Sequence, residues 1–237
     1  MITTIIPALN EEKYIGVCLE SLAIQTPPPD EILVVDNGST DKTVEVVEQF
    51  AANHPNLNVK LIHETRKGCD WAREAGWRAA SGDIIIHVDA DETVPADWLS
   101  KVRAVLHDQP ELGAFGGTYR FENPPLSVLI LQGAYNLLYP RVVQWTKGFP
   151  YLCGGQTICK REVLEKMNGY ADKPSDQLED YYLSEQAYKL GYKTRYFPSI
   201  YGFHSLRRYH EGGLSAFLKW GVAGLDANQY DANVDVR

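Results

Sequence analysis

Residues 84–92 read IIIHVDADE. The run begins as a near-continuous series of β-branched apolar residues, the pattern of a strand buried on both faces of a parallel sheet. It ends in three acids within four positions, Asp89, Asp91 and Glu92, placed where the strand leaves the core. Like charges packed that closely repel unless something positive lies between them. Two carboxylates at i and i+2 after a strand suit a hard divalent cation such as Mg²⁺ or Mn²⁺, which keeps open positions for phosphate oxygens. A metal bridging to a diphosphate is therefore expected, helped by Arg66, Lys67 and Arg73 nearby in sequence. The competing reading is a solvated loop, with Asp91 or Thr93 capping the next helix.

Upstream, strands over 2–6, 31–35 and 59–62 alternate with helices over about 12–25, from about 40, and over 70–80. Ile15, Leu19 and Leu22 stripe the first helix, and Val44, Val47 and Ala51 the second. Such alternation with short connections predicts a parallel sheet with right-handed crossovers. Every strand then ends in polar sequence: PALNEE (7–12), DNGSTDKT (36–43), HETRKG (63–68) and DADE (89–92). Ligands of open α/β sheets bind outside the carboxyl ends of the strands, so four such ends define a site. Neither GxGxxG nor GxxxxGK[ST] occurs, which sets aside dinucleotide and P-loop readings. Asp36 is expected both in the site and beside a helix cap made by Ser39 or Thr40; Asn10 or Glu11 could cap the first helix.

Downstream, the pattern predicts a helix over 95–108 with Leu99, Val102 and Leu106 inward, and a strand over 113–121. An apolar, aromatic segment spans 126–145. A short strand, a helix and a turn lie within 154–170, a helix with acids at its start spans 178–192, and strand candidates cover 193–197 and 200–204. After Gly212 an apolar helix and a loose polar tail are expected.

The 237 residues, 44% hydrophobic, suit one domain or one with two lobes. A net charge of −8 (23 basic, 31 acidic) argues against nucleic acid as a partner. Cysteines 18, 69, 153 and 159 form no CxxC pair and read as free thiols of a reducing cytosol. A strand starting almost at Met1 leaves no room for a signal peptide. The longest uncharged run, 123–140, holds Pro124, Pro125, Gly133 and Pro140 and makes a poor membrane span.

PALNEE, VVDNGSTDKT, KGCDWAREAGWRAASGDIIIHVDADE, GGQTICKREV and LEDYYLSEQAYKLGYK occur in that order. Together, over about residues 1–204, they resemble the family 2 glycosyltransferases. The resemblance implies an α/β chain of GT-A fold: a Rossmann-like, mostly parallel central sheet with helices on both faces and a smaller acceptor-side lobe. It would form a single domain, with a nucleotide-binding half (1–92), an acceptor and catalytic half (93–210), and a C-terminal helix and tail (211–237). It implies that Pro7, Ala8 and Glu11 line the nucleoside pocket and that Asp36 hydrogen-bonds the base. Lys67 and Arg73 are the basic positions near the nucleotide. Asp89 and Asp91 bind metal, ribose and diphosphate, with His204 as a further metal ligand, and Asp180, beside Glu179, is the catalytic base. Arg207 and Arg208 are candidates to close over the diphosphate. AREAG replaces the commoner ARN-G, leaving that wall more acidic at Glu74, and no QxxRW follows the last motif, against a processive synthase.

The implied reaction moves a sugar from a UDP- or GDP-sugar to an acceptor hydroxyl with inversion, assisted by Mn²⁺ or Mg²⁺. Read by residues alone, Glu179 and Asp180 could be helix-dipole acids and His204 a structural histidine. A nucleotidyltransferase and a catalytically inactive nucleotide-binding module remain alternatives. The segment 124–145 suits a membrane interface as well as a buried helix of the acceptor lobe. It points to a lipid-linked acceptor such as a polyprenyl phosphate or diphosphate sugar, met in the cytoplasm at the inner face of the cell membrane.

Overall fold

The computed structural model describes residues 1–152, 154–175 and 177–207. Arg208, Cys153 and the expected C-terminal helix and tail lie outside the described residues.

The first four strands are β1 (Ile2–Ala8), β2 (Glu31–Asp36), β3 (Val59–His63) and β4 (Ile84–His87), all parallel where they pair. Between them run α1 (Ile15–Ala23), α2 (Thr43–Asn53) and α3 (Cys69–Ala79). After β4 come β5 (Glu92–Thr93), α4 (Trp98–Asp108), β6 (Leu112–Phe121) and α5 (Leu126–Lys147). A single 3-10 turn (Gly154–Gln156) leads into β7 (Thr157–Lys160), α6 (Arg161–Lys166), α7 (Glu179–Lys189) and β8 (Lys193–His204).

The strands form one sheet in the order β3-β2-β1-β4-β7-β6-β8-β5. The apolar run at 84–88 reads as a doubly buried strand because β4 lies mid-sheet, parallel to β1 and antiparallel to β7. Order 3-2-1-4 puts the switch point between β1 and β4, where two connections diverge and open a crevice at the strands' carboxyl ends. β7 pairs antiparallel with β6 and β5 with β8, while β6 and β8 run parallel. The two strand candidates at 193–197 and 200–204 are one strand, bulged against β6 between the pairs Gly116/Tyr196 and Thr118/Tyr201.

Each sheet face carries its own core. On one, Ile15, Leu19 and Leu22 of α1, Val47 and Phe50 of α2, and Trp98, Leu99 and Val102 of α4 pack on Ile6, Val34 and Ile86. On the other, Ala72 and Trp77 of α3, Val163 and Leu164 of α6, and Tyr182, Leu183 and Ala187 of α7 pack on Ile5, Leu33 and Ile85. The inward stripe of α2 is Thr43, Val47 and Phe50, at i, i+4 and i+7; Val44 and Ala51 sit one residue round the helix from it and are only half-buried.

The expected caps do not form. α1, α2 and α4 have no side-chain cap bond. Their candidate cap residues staple two loops instead. Asn10, at φ +57°, accepts from the Thr40 amide (2.8 Å) and its own amide donates to Ser39 Oγ (3.0 Å). The Glu11 amide donates to Thr43 Oγ1 (2.7 Å), Lys42 donates to Glu12, and Glu12 to Asp41. The loops after β1 and β2 are thereby fixed to each other, which holds the floor of the crevice. Asp91 and Thr93 likewise leave α4 uncapped: Thr93 is in β5, and α4 begins at Trp98.

Candidate active site

Two arginines and a histidine sit among the acids of the DADE turn. Arg73, 3% exposed on α3, donates through Nη2 to Asp89 Oδ1 (2.9 Å) and through Nη1 to Glu179 at the start of α7. Arg207 donates through Nη1 to Glu11 Oε2 (2.6 Å) and places Nη2 3.2 Å from Asp91 Oδ2. His204, at the end of β8, places Nε2 3.7 Å from Asp89 Oδ2 and 3.6 Å from Glu92 Oε2, and Nδ1 3.7 Å from Asp91 Oδ1. It gets there because β5 pairs with β8 so that Glu92 faces His204.

Asp89, Glu92 and His204 offer ligand atoms that all lie within 4.8 Å of one another. Ligands about 2.1 Å from one octahedral cation stand roughly 3–4 Å apart, so these carboxylate oxygens and imidazole nitrogen fit a divalent ion of the Mg²⁺/Mn²⁺ kind. Glu92 is the residue that sequence reading left without a role. It is fully buried, accepts from Gln156 Nε2 (2.9 Å), and Gln156 in turn accepts from the Trp98 indole (2.6 Å). Burial, and then the adjacent Asp89, push its carboxyl well above the usual carboxylate range. Two glycines admit this packing. A Cβ on Gly202 would lie 2.0 Å from Glu92 Oε1, and one on Gly155 2.6 Å from Glu92 Oε2 and 2.8 Å from Asp89 Oδ2. The GGQ of the fourth quoted motif was the available signal, but its partner at 202 lies on another strand.

Asp180 occupies the first turn of α7, next to Glu179. Tyr151 donates to its Oδ2 and the Tyr181 amide to its Oδ1 (2.6 Å). Burial, and then the Glu179 charge, raise its pKa to about 6, against the Tyr151 hydrogen bond and the Arg73 charge, which lower it. Arg73 therefore ties the turn after β4 to the start of α7 and brings Asp89 and the Glu179–Asp180 pair to one site. Glu11 is buried and its carboxyl is raised, first by burial, while Arg207 opposes the rise.

The remaining candidates lie along the neighbouring strand ends. Pro7 and Ala8 close β1, and the Ala8 carbonyl accepts from the Asn37 amide (2.9 Å). Asp36 accepts from the Ser39 and Gly38 amides (3.0 and 3.3 Å) and lies 3.2 Å from His63 Nδ1. Burial raises its carboxyl, but the Ser39, His63 and Gly38 hydrogen bonds outweigh this and leave it lowered. Lys67 Nζ donates to the carbonyls of Asn37 and Gly38. Arg66 pairs with Glu64 (2.7 Å) and stacks over Trp71. Glu74 is a structural acid: it accepts from the Trp77 indole, Arg78 and the Tyr170 amide, behind α3.

The profile of "Glycosyl transferase family 2" matches residues 3–167. The chain belongs to that family, and its sheet and helices are arranged as in GT-A glycosyltransferases. It is 28% identical to the glycosyltransferase GlyA of Streptococcus pneumoniae over 241 residues, 95% of this chain and 33% of that protein. It is 38% identical over 121 residues to the uncharacterized glycosyltransferase YibD of Escherichia coli, 51% of this chain and 35% of that protein. Among solved structures it superposes on the mannosyltransferase PcManGT of Pyrobaculum calidifontis, in complex with GDP-Man and Mn²⁺. There the TM-score is 0.68 at 31% identity, covering 89% of this chain and 59% of that one. Glucosyl-3-phosphoglycerate synthase of Mycobacterium tuberculosis shares the fold at 18% identity and TM-score 0.62 (92% of this chain, 78% of that one). The chain thus spans about a third of those two curated relatives.

Proposed function

We propose that this chain is a metal-assisted, inverting glycosyltransferase that moves a sugar from a UDP- or GDP-sugar to an acceptor hydroxyl. The observation that carries the reading is the Arg73 bridge, which sets the Asp89 carboxylate and the Glu179–Asp180 pair on opposite sides of one guanidinium. Residues 1–92 hold the donor, 93–210 supply the base and the acceptor side, and the whole acts as one domain. Pro7, Ala8, Glu11 and Asp36 line the nucleoside, and Lys67 flanks it. The mannosyltransferase structure with GDP-Man and Mn²⁺ supports the donor class and the metal.

Asp89, Asp91, Glu92 and His204 are the residues that would hold the cation, which when bound supplies Lewis-acid stabilisation of charge on the departing diphosphate. Arg207, held by Glu11 and Asp91, is a fixed cation at the same place and needs no reorganisation as that charge develops. Asp180 takes the proton of the acceptor hydroxyl on the far side of the sugar, so a single in-line displacement inverts the anomeric centre. A carboxylate with a pKa of about 6 is a stronger base than an exposed aspartate yet remains ionised at neutral pH.

For the acceptor, the exposed face of α5 supports a lipid-linked substrate met at the cytoplasmic surface of a membrane. Leu126, Leu129, Ile130, Leu137, Leu138 and Trp145 all face outward there. The helix carries Arg141 and Lys147 and no acid in a chain of net charge −8, so it suits an anionic bilayer surface. Among the described residues no helix is long and apolar enough to cross a membrane.

A thermal-shift panel of UDP, GDP, CDP and dTDP, with and without Mn²⁺, followed by sugar release from the matching radiolabelled donor, tests the assignment. Mn²⁺-dependent stabilisation by one diphosphate together with sugar release is expected. Stabilisation without release to any acceptor or to water would leave a binding module, and pyrophosphate formation from a nucleoside triphosphate would make it a nucleotidyltransferase.

A further inference from the structure

The loops that follow β2 and β3 form one wall, and its polar side chains are mostly committed to each other. Asp36 accepts from the Ser39 amide on Oδ1 (3.0 Å), and its Oδ2 accepts from the Gly38 amide (3.3 Å) and lies 3.2 Å from His63 Nδ1. Asn37 donates to the carbonyls of Glu64 (3.0 Å) and Arg66 (2.7 Å) and accepts from the Gly68 amide (2.9 Å). Glu64 takes the Arg66 amide and guanidinium, and Lys67 donates to the carbonyls of Asn37 and Gly38. His63 differs from these neighbours. Its Nδ1 faces Asp36, its Nε2 has no hydrogen-bond partner among the described residues, and its side chain is 62% exposed.

The Asp36–His63 contact is not needed to close the strand ends. The two residues are already partners in the parallel ladder, and the Glu64 amide donates to the Asp36 carbonyl (2.9 Å). What the side-chain bond adds is a fixed ring. Burial raises the Asp36 carboxyl, but hydrogen bonds from Ser39, His63 and Gly38 lower it by more, so it is ionised at neutral pH. A carboxylate can only accept, which puts the ring hydrogen on Nδ1. In the neutral imidazole Nε2 is then a lone pair, held in one orientation at the carboxyl end of β3.

We propose that His63, oriented by Asp36, reads the base of the donor through Nε2 and selects one with a ring N–H at its pairing edge: uracil, thymine or guanine rather than cytosine or adenine. This rests on the transferase reading, which sets the nucleoside against Asp36, and it names the residue that chooses the donor. Uracil and thymine carry that hydrogen on N3 and guanine on N1. Cytosine and adenine present a lone pair at the matching nitrogen, so the fixed acceptor meets another acceptor, loses its hydrogen bond and is left desolvated. Asp36 is a positioning residue here, acting on the base through the ring. The pair stands apart from the metal ligands and from Asp180, so it governs which nucleotide binds and not the chemical step.

The test is isothermal titration of the full chain with Mn²⁺ at about pH 8, where an ordinary imidazole is neutral. Two matched pairs are compared, UDP with CDP and GDP with ADP. In at least one pair the nucleotide with the ring N–H is expected to bind at least about tenfold more tightly than its partner. His63→Leu should bring that ratio toward one by weakening the tighter nucleotide. Its melting curve without nucleotide should match that of the unsubstituted protein, because the ring is exposed. Asp36→Asn, whose amide can donate to Nδ1 and so release the tautomer, should also lower the ratio with the imidazole still present. No preference in either pair, a preference that survives either substitution, or an equal loss for both nucleotides in His63→Leu overturns the inference and leaves the donor site standing. Absence of binding by all four nucleotides in the unsubstituted protein is instead the failure of the transferase reading.

Discussion

Arg73 donates to Asp89 across 2.9 Å with its side chain 3% exposed, so the guanidinium is a buried cation whose charge is balanced by site carboxylates. Breaking a buried pair by removing one partner costs about 3–5 kcal/mol, because the other charges are left uncompensated. Arg73→Gln is therefore expected to lower the unfolding free energy by about 3 kcal/mol, or roughly 6–12 °C in melting temperature. Arg73→Lys should recover only part of this, since one ammonium cannot span Asp89 and Glu179 as a planar fork does. Equal melting temperatures for Arg73→Gln and the unsubstituted chain would show that the bridge is not made in solution.

The acid cluster makes a second expectation. Asp91 lies 3.2 Å from Arg207 and 3.7 Å from His204, and Asp89 and Glu92 share the histidine. Asp91→Asn should keep the fold, as Asp91 contributes nothing to either core, and should abolish Mn²⁺-dependent stabilisation by nucleotide. The comparison is a melting curve with nucleotide, with and without Mn²⁺; the same metal-dependent increment in both proteins would remove Asp91 from the metal site.

Asp180 separates binding from chemistry. Asp180→Asn should bind donor nearly normally and lose transfer by a factor of at least about 100, the usual worth of a general base. Transfer at close to the unsubstituted rate would leave Asp180 as a helix-start acid.

The same residue sets a pH dependence. Its folded pKa is about 6, raised from an ordinary aspartate value of 3.8, mainly by burial. The base form is needed for transfer, so kcat/KM should rise with pH through an apparent pKa near 6. Stability runs the other way. With the folded pKa raised, the stabilising contribution is complete below pH 3.8 and is lost as pH climbs through about 6. Tyr151→Phe removes a hydrogen bond that favours the carboxylate, so the acid limb of the rate profile should move to higher pH. A limb that stays in place would mean that Tyr151 does not donate to Asp180 during turnover.

Much of this was legible in the sequence for a physical reason. A strand buried on both faces has to be apolar throughout, so β1, β2 and β4 stand out as runs, and polar residues such as Asp36 and Asp89 mark where each leaves the core. What was not legible depends on pairings distant in sequence. His204 meets Glu92 only because β5 lies on β8, and Glu92 tolerates burial only because Gln156 and two glycines from other elements surround it. Asn10, Ser39 and Thr40 have the chemistry of helix caps, and local sequence cannot show that they bind each other across two loops. Tyr119 and Gln132 meet only because α5 lies along β6, a placement that no short-range pattern encodes.

The outer face of α5 carries the last expectation. Leu126 is 71% exposed, Ile130 62% and Trp145 87%, and Leu129, Leu137, Leu138 and Val142 are also exposed. An apolar face of that length on one helix is uncommon on a surface that meets only water. The reading of 124–145 as a helix wholly buried in the acceptor lobe does not fit these exposures. Trp145 and Arg141 near one end suit the headgroup level of a bilayer, and without an acid the helix is not repelled by anionic lipid. The chain should float with liposomes containing phosphatidylglycerol, more weakly with neutral phosphatidylcholine, and more strongly when a polyprenyl diphosphate sugar is included. Leu137→Glu with Leu138→Glu removes two apolar side chains from the contact and adds two charges, so the partition coefficient should fall at least about tenfold. Melting behaviour should be unchanged, because both side chains are exposed. No flotation with any vesicle, combined with efficient transfer to a water-soluble acceptor, would rule out the membrane and leave α5 as the wall of a site that works in free solution.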